Sequence, residues 1–330
     1  MAHSKILVTG GAGFIGSHIV DKLLDEDFQV TVLDDLSTGN LENLSSHMHD
    51  GDFHFVKGDV CNFDVVRQVV KDVDAVFHEA AIASVPRSLK DPVFTNRVNV
   101  DGTLNLLSAS LTSHVRRFVY ASSCAVYGDS GALPHHEQLP PLALSPYAAS
   151  KASAESYCTA FYKAYGLETV SLRLFNVYGL RQRSGTYGGV IEQFLDRLLK
   201  GEEPVIFGDG AQMRDFVHVS DVVEAHMLAL EKKNAVGETF NIASGVATSV
   251  NKLAQMLTDM VGGKELKPIH SDPRRGDVRH SYGDIAKARN LLGFSPKISL
   301  EEGLRRHVEL RRRCLKEVER RNNLRVESSS

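Results

Sequence analysis

Cysteine is scarce: there are four in 330 residues, Cys61, Cys124, Cys158 and Cys314, and no two are spaced C-x-x-C. That excludes a disulfide-stapled secreted scaffold, and no metal site is expected. The pattern predicts reduced thiols in a cytoplasmic protein. Long apolar runs are missing too. No stretch approaches the roughly 18 apolar residues of a membrane-spanning helix. Met1 to Lys5 carries no basic segment leading into an apolar one, so no signal peptide is expected. Charge of one sign is also lacking: 38 basic against 41 acidic residues leave −3. Neither nucleic acid nor a membrane is therefore expected as a partner.

What is present is alternation. Apolar, β-rich runs at Lys5–Thr9, Gln29–Asp34, Phe53–Lys57, Ala75–His78, Arg117–Ala121 and Thr169–Leu174 read as strands. Helical patterns separate them at about 14–27, 64–71, 92–113 and 145–165. Strands alternating with helices imply parallel βαβ units, and near-continuous apolar strands imply a sheet covered on both faces. The fold class predicted is α/β, a doubly wound parallel sheet over residues 1–180. Beyond a glycine-rich break at Gly185–Gly189 the elements shorten. Helices are predicted at about 190–200, 220–232 and 250–261, and strands at 205–207 and 239–242. Residues 181–330 thus read as a smaller α/β lobe, from which the chain is free to cross back to the sheet. A last helix, about 300–320, is rich in arginine and glutamate, as a solvated face would be. Ser328–Ser330 are predicted to be disordered.

Residues 9–16 read T-G-G-A-G-F-I-G, between the first strand and the first helix. Gly10, Gly13 and Gly16 fit the sites where a strand turns sharply, backbone meets a pyrophosphate, and helix packs close to strand. The helix starting near Phe14 aims its free N–H groups at the phosphates. Asp34 ends the next strand, where a carboxylate accepts from a ribose 2′-hydroxyl and repels a 2′-phosphate. The expected cofactor is NAD rather than NADP. Asp59, after the third strand, reads equally well as an adenine contact or as a turn cap.

Tyr147 and Lys151 lie four apart on a predicted helix and so share a face. An ammonium close to a phenol favours the phenolate; bringing its pKa from 10 to about 7 takes about 4 kcal/mol. Ser122, Ser123 and Cys124 close the fifth strand, at the carboxyl edge where such sheets bind ligands.

Together these motifs resemble the extended short-chain dehydrogenase/reductase family, and within it the nucleotide-sugar epimerases. The resemblance runs over about residues 4–310. It includes G-D-V at Gly58–Val60, H-E-A-A at His78–Ala81, V-P-R-S at Val85–Ser88, N-V-D-G-T at Asn99–Thr103, A-S-S-C-A-V-Y-G at Ala121–Gly128 and S-P-Y-A-A-S-K at Ser145–Lys151. R-L-F-N-V-Y-G at Arg173–Gly179, the run Gly208–Val219 and R-R-G-D-V-R-H-S at Arg274–Ser281 follow. The resemblance implies a Rossmann sheet and a UDP-hexose 4-epimerase that oxidises its substrate transiently to a 4-keto sugar on bound NAD. It implies Tyr147 as base, Lys151 as the residue that lowers its pKa, and Ser123 on the sugar hydroxyl. It places Gly10, Gly13, Phe14, Ile15, Gly16, Asp34, Asp59, Val60, Ala80 and Asn99, with Tyr147 and Lys151, around the cofactor. Ser84, Ser123, Asn176, Val190, Arg214 and Arg274 are implied around the UDP-sugar. A homodimer is implied through the helices near 92–113 and 145–165, with Leu104, Leu107, Tyr157 and Phe161 as candidates for the interface or the core.

Departures bear on the reaction. Dehydratases and decarboxylases of this kind carry an acidic residue beside the catalytic serine or threonine. Here Cys124 and Ala125 stand there. The S-S-C string is also similar to a fucose-synthase-like epimerase/reductase, but Asp34 disfavours that enzyme's NADPH. Ser281 is small where glucose epimerases carry tyrosine, which leaves space for a 2-acetamido group. The remaining alternatives are another NAD-dependent nucleotide-sugar enzyme and a non-catalytic dinucleotide sensor.

Overall fold

The computed structural model describes residues 4–182, 189–263, 265–273 and 278–327, with side chains as far as 315. Arg274, most of the glycine-rich break and Ser328–Ser330 lie outside the described residues. The strands in chain order are β1 (Lys5–Thr9), β2 (Gln29–Asp34), β3 (Phe53–Lys57), β4 (Ala75–His78), β5 (Arg117–Ser123), β6 (Glu168–Leu174), β7 (Asn176–Tyr178), β8 (Val205–Phe207), β9 (Met213–His218) and β10 (Thr239–Ile242). The helices are α1 (Phe14–Asp25), α2 (Phe63–Val70), α3 (Val85–Lys90), α4 (Pro92–Asn96), α5 (Gly102–Thr112), α6 (Pro146–Tyr165), α7 (Val190–Leu198), α8 (Val219–Glu231), α9 (Val250–Val261) and α10 (Leu300–Glu327).

Alternation along each strand sends side chains to two covered faces. In β1, Ile6 and Val8 join one core with Ile19 and Leu23 of α1 and Val222 and Leu230 of α8. Leu7 joins the other with Val66 and Val70 of α2 and Leu106 and Leu107 of α5. The seven strands run in the order β10-β6-β5-β4-β1-β2-β3, all parallel. The order reverses between β1 and β4, which opens a crevice at the carboxyl ends of the strands. β10 adds to β6 and α8 packs on α1, so the second half of the chain does cross back onto the sheet. The remaining lobe is built on β9, flanked by β7, Ala247–Ser249 and His280–Ser281. Phe194, Leu195, Leu253, Leu257 and Leu304 form its core.

Two elements differ from expectation with consequences for the site. The helix expected over 92–113 is interrupted: α4 and α5 are joined by a π-helical turn, Arg97–Asp101. The wider turn accompanies an inward Asn99, which is buried. β5 also runs two residues further than expected, to Ser123, because Ala121, Ser122 and Ser123 stay in register with β6. The short α3 was not expected from the pattern; Ser84 caps it and Pro86 sits in its first turn.

Candidate functional site

The glycine turn is built as the spacing required. Gly10 has φ +69, and a Cβ there would lie 2.7 Å from the Ala80 nitrogen. At Gly16 a Cβ would sit 2.3 Å from the Gly10 carbonyl oxygen, and at Gly13 3.0 Å from it. Any side chain would fill the cradle or force the turn open. Gly13 is the N-cap of α1 and has no side chain to cap it. The first-turn N–H groups of Phe14 and Ile15 therefore point along the helix axis without a side-chain partner. Asp34, buried at the end of β2, accepts from the Ala12 and Leu36 N–H groups at 3.0 and 2.8 Å. Each carboxylate oxygen keeps a further lone pair for a ribose hydroxyl. Burial pushes its pKa up against the pull of those two N–H groups. This cradle, uncapped helix and acidic strand end fit a dinucleotide.

Other residues expected near the cofactor do work inside the chain. Asp59 accepts from the Cys61 N–H at 2.8 Å, the turn cap that its position allowed. The Val60 side chain packs against the face of Gly102, and its carbonyl accepts from Asn105. Asn99 is fully engaged: it accepts from the Ile82 N–H at 2.7 Å and donates to the Ile82 carbonyl and to Ser150 Oγ. Ser150 donates in turn to the Tyr147 carbonyl at 2.8 Å. Asn99 thus ties the loop after β4 to the first turn of the helix that carries Tyr147.

Ser145 caps α6 by accepting from the Ala148 N–H, with Pro146 in the first turn. This fixes Tyr147 opposite the end of β5, where the Ser123 hydroxyl lies close enough to act on the phenol. Burial pushes the phenol up to about 12, and the Ser123 hydroxyl pulls against it. Lys151 lies on the same face but donates to the Ala121 carbonyl at 2.6 Å and rests over the Tyr120 ring. Burial is the larger influence on Tyr147, so the acidified phenol expected from the four-residue spacing is not produced by this arrangement of the chain alone. Burial also lowers the Lys151 ammonium to about 8, against support from Glu79.

A buried framework that the motifs did not reveal stands behind this pair. Glu155 of α6 takes a bidentate contact from Arg173 and a bond from Ser122 Oγ at 2.7 Å. Arg173 lies over the Tyr127 ring, and Tyr127 donates to Asn241 of β10 at 2.6 Å. Arg173 and Glu155 were each visible in the sequence; only their meeting was not.

On the lobe side, Ser281 pairs in register with Arg214 and lies close enough to the Cys124 thiol to act on it. Burial pushes that thiol up to about 11, which disfavours the thiolate and its nucleophilic chemistry. Arg214 is close enough to act on the thiol, donates to the Met213 carbonyl and is half-buried. Asn176 donates to the Asp215 carbonyl at 3.1 Å. Asp215, fully buried, accepts from Ser244 and Gly245 of one loop and Gly283 of another and so holds two loops at the crevice. Val190 opens α7 and is half-buried. Ser84 has its hydroxyl on the Arg87 N–H as the cap of α3.

A family model described as the NAD dependent epimerase/dehydratase family matches residues 6–243. A UDP-glucose 4-epimerase of Mycolicibacterium smegmatis is 41% identical over 307 residues, 92% of this chain and 97% of its own. The crystal structure of a UDP-glucose 4-epimerase of Thermotoga maritima with UDP-glucose superposes with a TM-score of 0.90 at 42% identity, covering 94% of this chain and 99% of its own. A UDP-N-acetylglucosamine 4-epimerase of Methanobrevibacter ruminantium in complex with UDP-N-acetylmuramic acid gives a TM-score of 0.89 at 40% identity, covering 94% and 98%.

Proposed function

The chain belongs to the NAD dependent epimerase/dehydratase family, and from that premise we propose that it is a UDP-hexose 4-epimerase that interconverts UDP-glucose and UDP-galactose. The observation that carries the reading is the Ser123–Tyr147 hydroxyl pair at the crevice, with a thiol and a methyl group, Cys124 and Ala125, in place of an acid beside it. A 4-hydroxyl placed between the two oxygens is held by Ser123 and gives its proton to Tyr147. NAD, when bound, supplies a reversible hydride acceptor and a positive charge. Gly10, Gly13, Gly16 and the α1 N-terminus hold its pyrophosphate, and Asp34 its adenine ribose. Tyr147 returns the proton after the 4-keto sugar has turned over. Arg214 pairs with the diphosphate, a role the resemblance also gives to Arg274, which lies outside the described residues; Asn176, Val190 and Ser84 are the further candidates for the sugar nucleotide.

No carboxylate next to Ser123 is available to assist loss of water or carbon dioxide, which disfavours a dehydratase or decarboxylase. Asp34 at the end of β2, which repels a 2′-phosphate, disfavours a fucose-synthase-like route that uses NADPH. Ser281 is small and faces Cys124, which leaves room for a 2-acetamido group, so N-acetylhexosamine forms are accepted as well. The test is incubation with UDP-glucose, UDP-galactose and their N-acetyl forms without added NAD. Expected is conversion between 4-epimers with no accumulation of reduced nicotinamide. Net NADH production or loss of water would overturn the reading.

The working form is a homodimer in the cytoplasm. Leu89, Val93, Tyr157 and Tyr165 expose apolar surface on α3, α4 and α6, which pack together; Val93 is 78% exposed. Of the two readings left open for Leu107, interface or core, its burial supports core. All four cysteines are free, as a reducing compartment would leave them, and no described helix is long and apolar enough to cross a membrane. Val93→Glu is expected to give monomers by sedimentation; an unchanged dimer would place the interface elsewhere.

A further inference from the structure

Glu79 and His226 are 147 positions apart, and neither is among the residues assigned to substrate or cofactor. Glu79 follows β4 in the H-E-A-A motif; His226 comes from α8, in the half of the chain that returns to the sheet. Both are buried, with side-chain exposures of 5% and 0%. The hydrogen bonds fix their proton count. His226 Nδ1 is 2.8 Å from the Val222 carbonyl, which can only accept, so Nδ1 carries a proton. Nε2 is 2.9 Å from Glu79 Oε1. That contact needs one proton between a ring nitrogen and a carboxyl oxygen. The pair therefore holds this proton either as imidazolium and carboxylate or as neutral ring and carboxylic acid.

We propose that Glu79, held as a carboxylate by the His226 imidazolium, is the counter-charge that keeps Lys151 an ammonium, and that the two are positioning residues for the Tyr147–Lys151 site. The proposal deepens the epimerase reading and rests on it. Its ground is the surroundings of Lys151. The amine is buried between α6, β4 and β5, with one hydrogen bond to Ala121 and the Tyr120 ring beneath it. A charge so placed is costly unless it is paired. The titratable groups that face it are His78 and Glu79 of the β4 end, Tyr120 of β5 and Cys158 of its own helix. Burial and the ammonium push His78 down to about 3, so it stays neutral, bonded to Thr9 and Thr103. Burial pushes the Tyr120 phenol and the Cys158 thiol upward, and both stay protonated. The next carboxylate on α6, Glu155, is committed to Arg173. Among these groups Glu79 is left to supply the negative charge, and it is the largest influence raising Lys151 against burial. Because Glu79 is gripped by α8, the charge on Lys151 depends on the second half of the chain being docked on the sheet.

Glu79→Gln separates charge from structure. The amide has the carboxylate's shape and can donate to Nε2 of a neutral ring, so the link to α8 survives. With NAD retained and thermal stability kept, the alkaline limb of the kcat profile should move down measurably, by less than the roughly one pH unit of a single nearby opposite charge, because the more distant imidazolium charge is lost with the carboxylate. Glu79→Asp, which keeps the charge, should hold the limb within a few tenths of a unit of the parent. A glutamine variant that folds and whose limb superimposes on the parent's would overturn the proposal. A second readout needs neither variant nor turnover: 15N-histidine NMR of the NAD-loaded parent. Both His226 ring nitrogens should carry protons under the conditions of turnover, whereas one bare nitrogen would put the shared proton on Glu79 and refute the counter-charge. A parent without turnover would sink the epimerase reading, while the ring-nitrogen result would still decide this one.

Discussion

Replacing Lys151 by methionine should destroy turnover and yet make the folded chain harder to unfold at neutral pH. The ammonium is buried, and its pKa falls from 10.5 to about 8, with burial the largest cause. Between those values the unfolded chain binds more protons than the folded one, so the parent gains stability as pH rises through that window. At pH 7 both states are protonated and the full cost of the buried charge is present, about 3 kcal/mol at 1.36 kcal/mol per pKa unit. At pH 10 most of it is gone, and about 1 kcal/mol remains. Methionine fills a similar volume and carries no charge at either pH. Urea unfolding of parent and variant, with NAD removed from both so that binding does not contribute, measures the difference. The stability of the variant relative to the parent should shrink by about 2 kcal/mol between pH 7 and pH 10. A difference equal at the two pH values would refute the reasoning, because the amine would then titrate in the folded chain as it does in water. Loss of turnover alone would leave the electrostatic argument unproved.

Tyr147→Phe removes the proton acceptor and should lower kcat about 1,000-fold, within the range for a lost general base, with NAD retention unchanged; turnover within tenfold of the parent would exclude the phenol as base. Gly16→Ala places a methyl group 2.3 Å from the Gly10 carbonyl oxygen. The variant should emerge from gel filtration without NAD, read from its absorbance spectrum, and full retention would mean that the turn is not the cradle. Arg173→Met strands the Glu155 carboxylate in the core, and chemical unfolding should show a loss of about 3–5 kcal/mol, largely recovered when Glu155→Gln is added. No recovery in the double variant would show that the loss comes from packing over the Tyr127 ring rather than from the unpaired charge.

The sequence alone determined the sheet and the cradle. Near-continuous apolar runs separated by helices set six strands within a residue or two, and the glycine spacing together with Asp34 pointed to the crevice proposed here for a dinucleotide. These patterns are local: a tight turn needs Gly10 where it stands, whatever lies elsewhere in the chain. Tyr147, Lys151 and Ser123 were legible for the same reason, since helix periodicity and a strand end place them. Their electrostatics were not. Whether the phenol is acidified or pushed up to about 12 depends on burial and on where the Lys151 ammonium points, and spacing encodes neither. Asn99 read as a cofactor contact, but a π-helical turn gave its amide to Ile82 and Ser150. Glu155 with Arg173, Asp215 with two separate loops, and Glu79 with His226 are pairings of residues distant along the chain. Only the docking of α8 and β10 onto the sheet brings the last of these together, because a buried charge finds its partner through the tertiary fold and not through its neighbours in sequence.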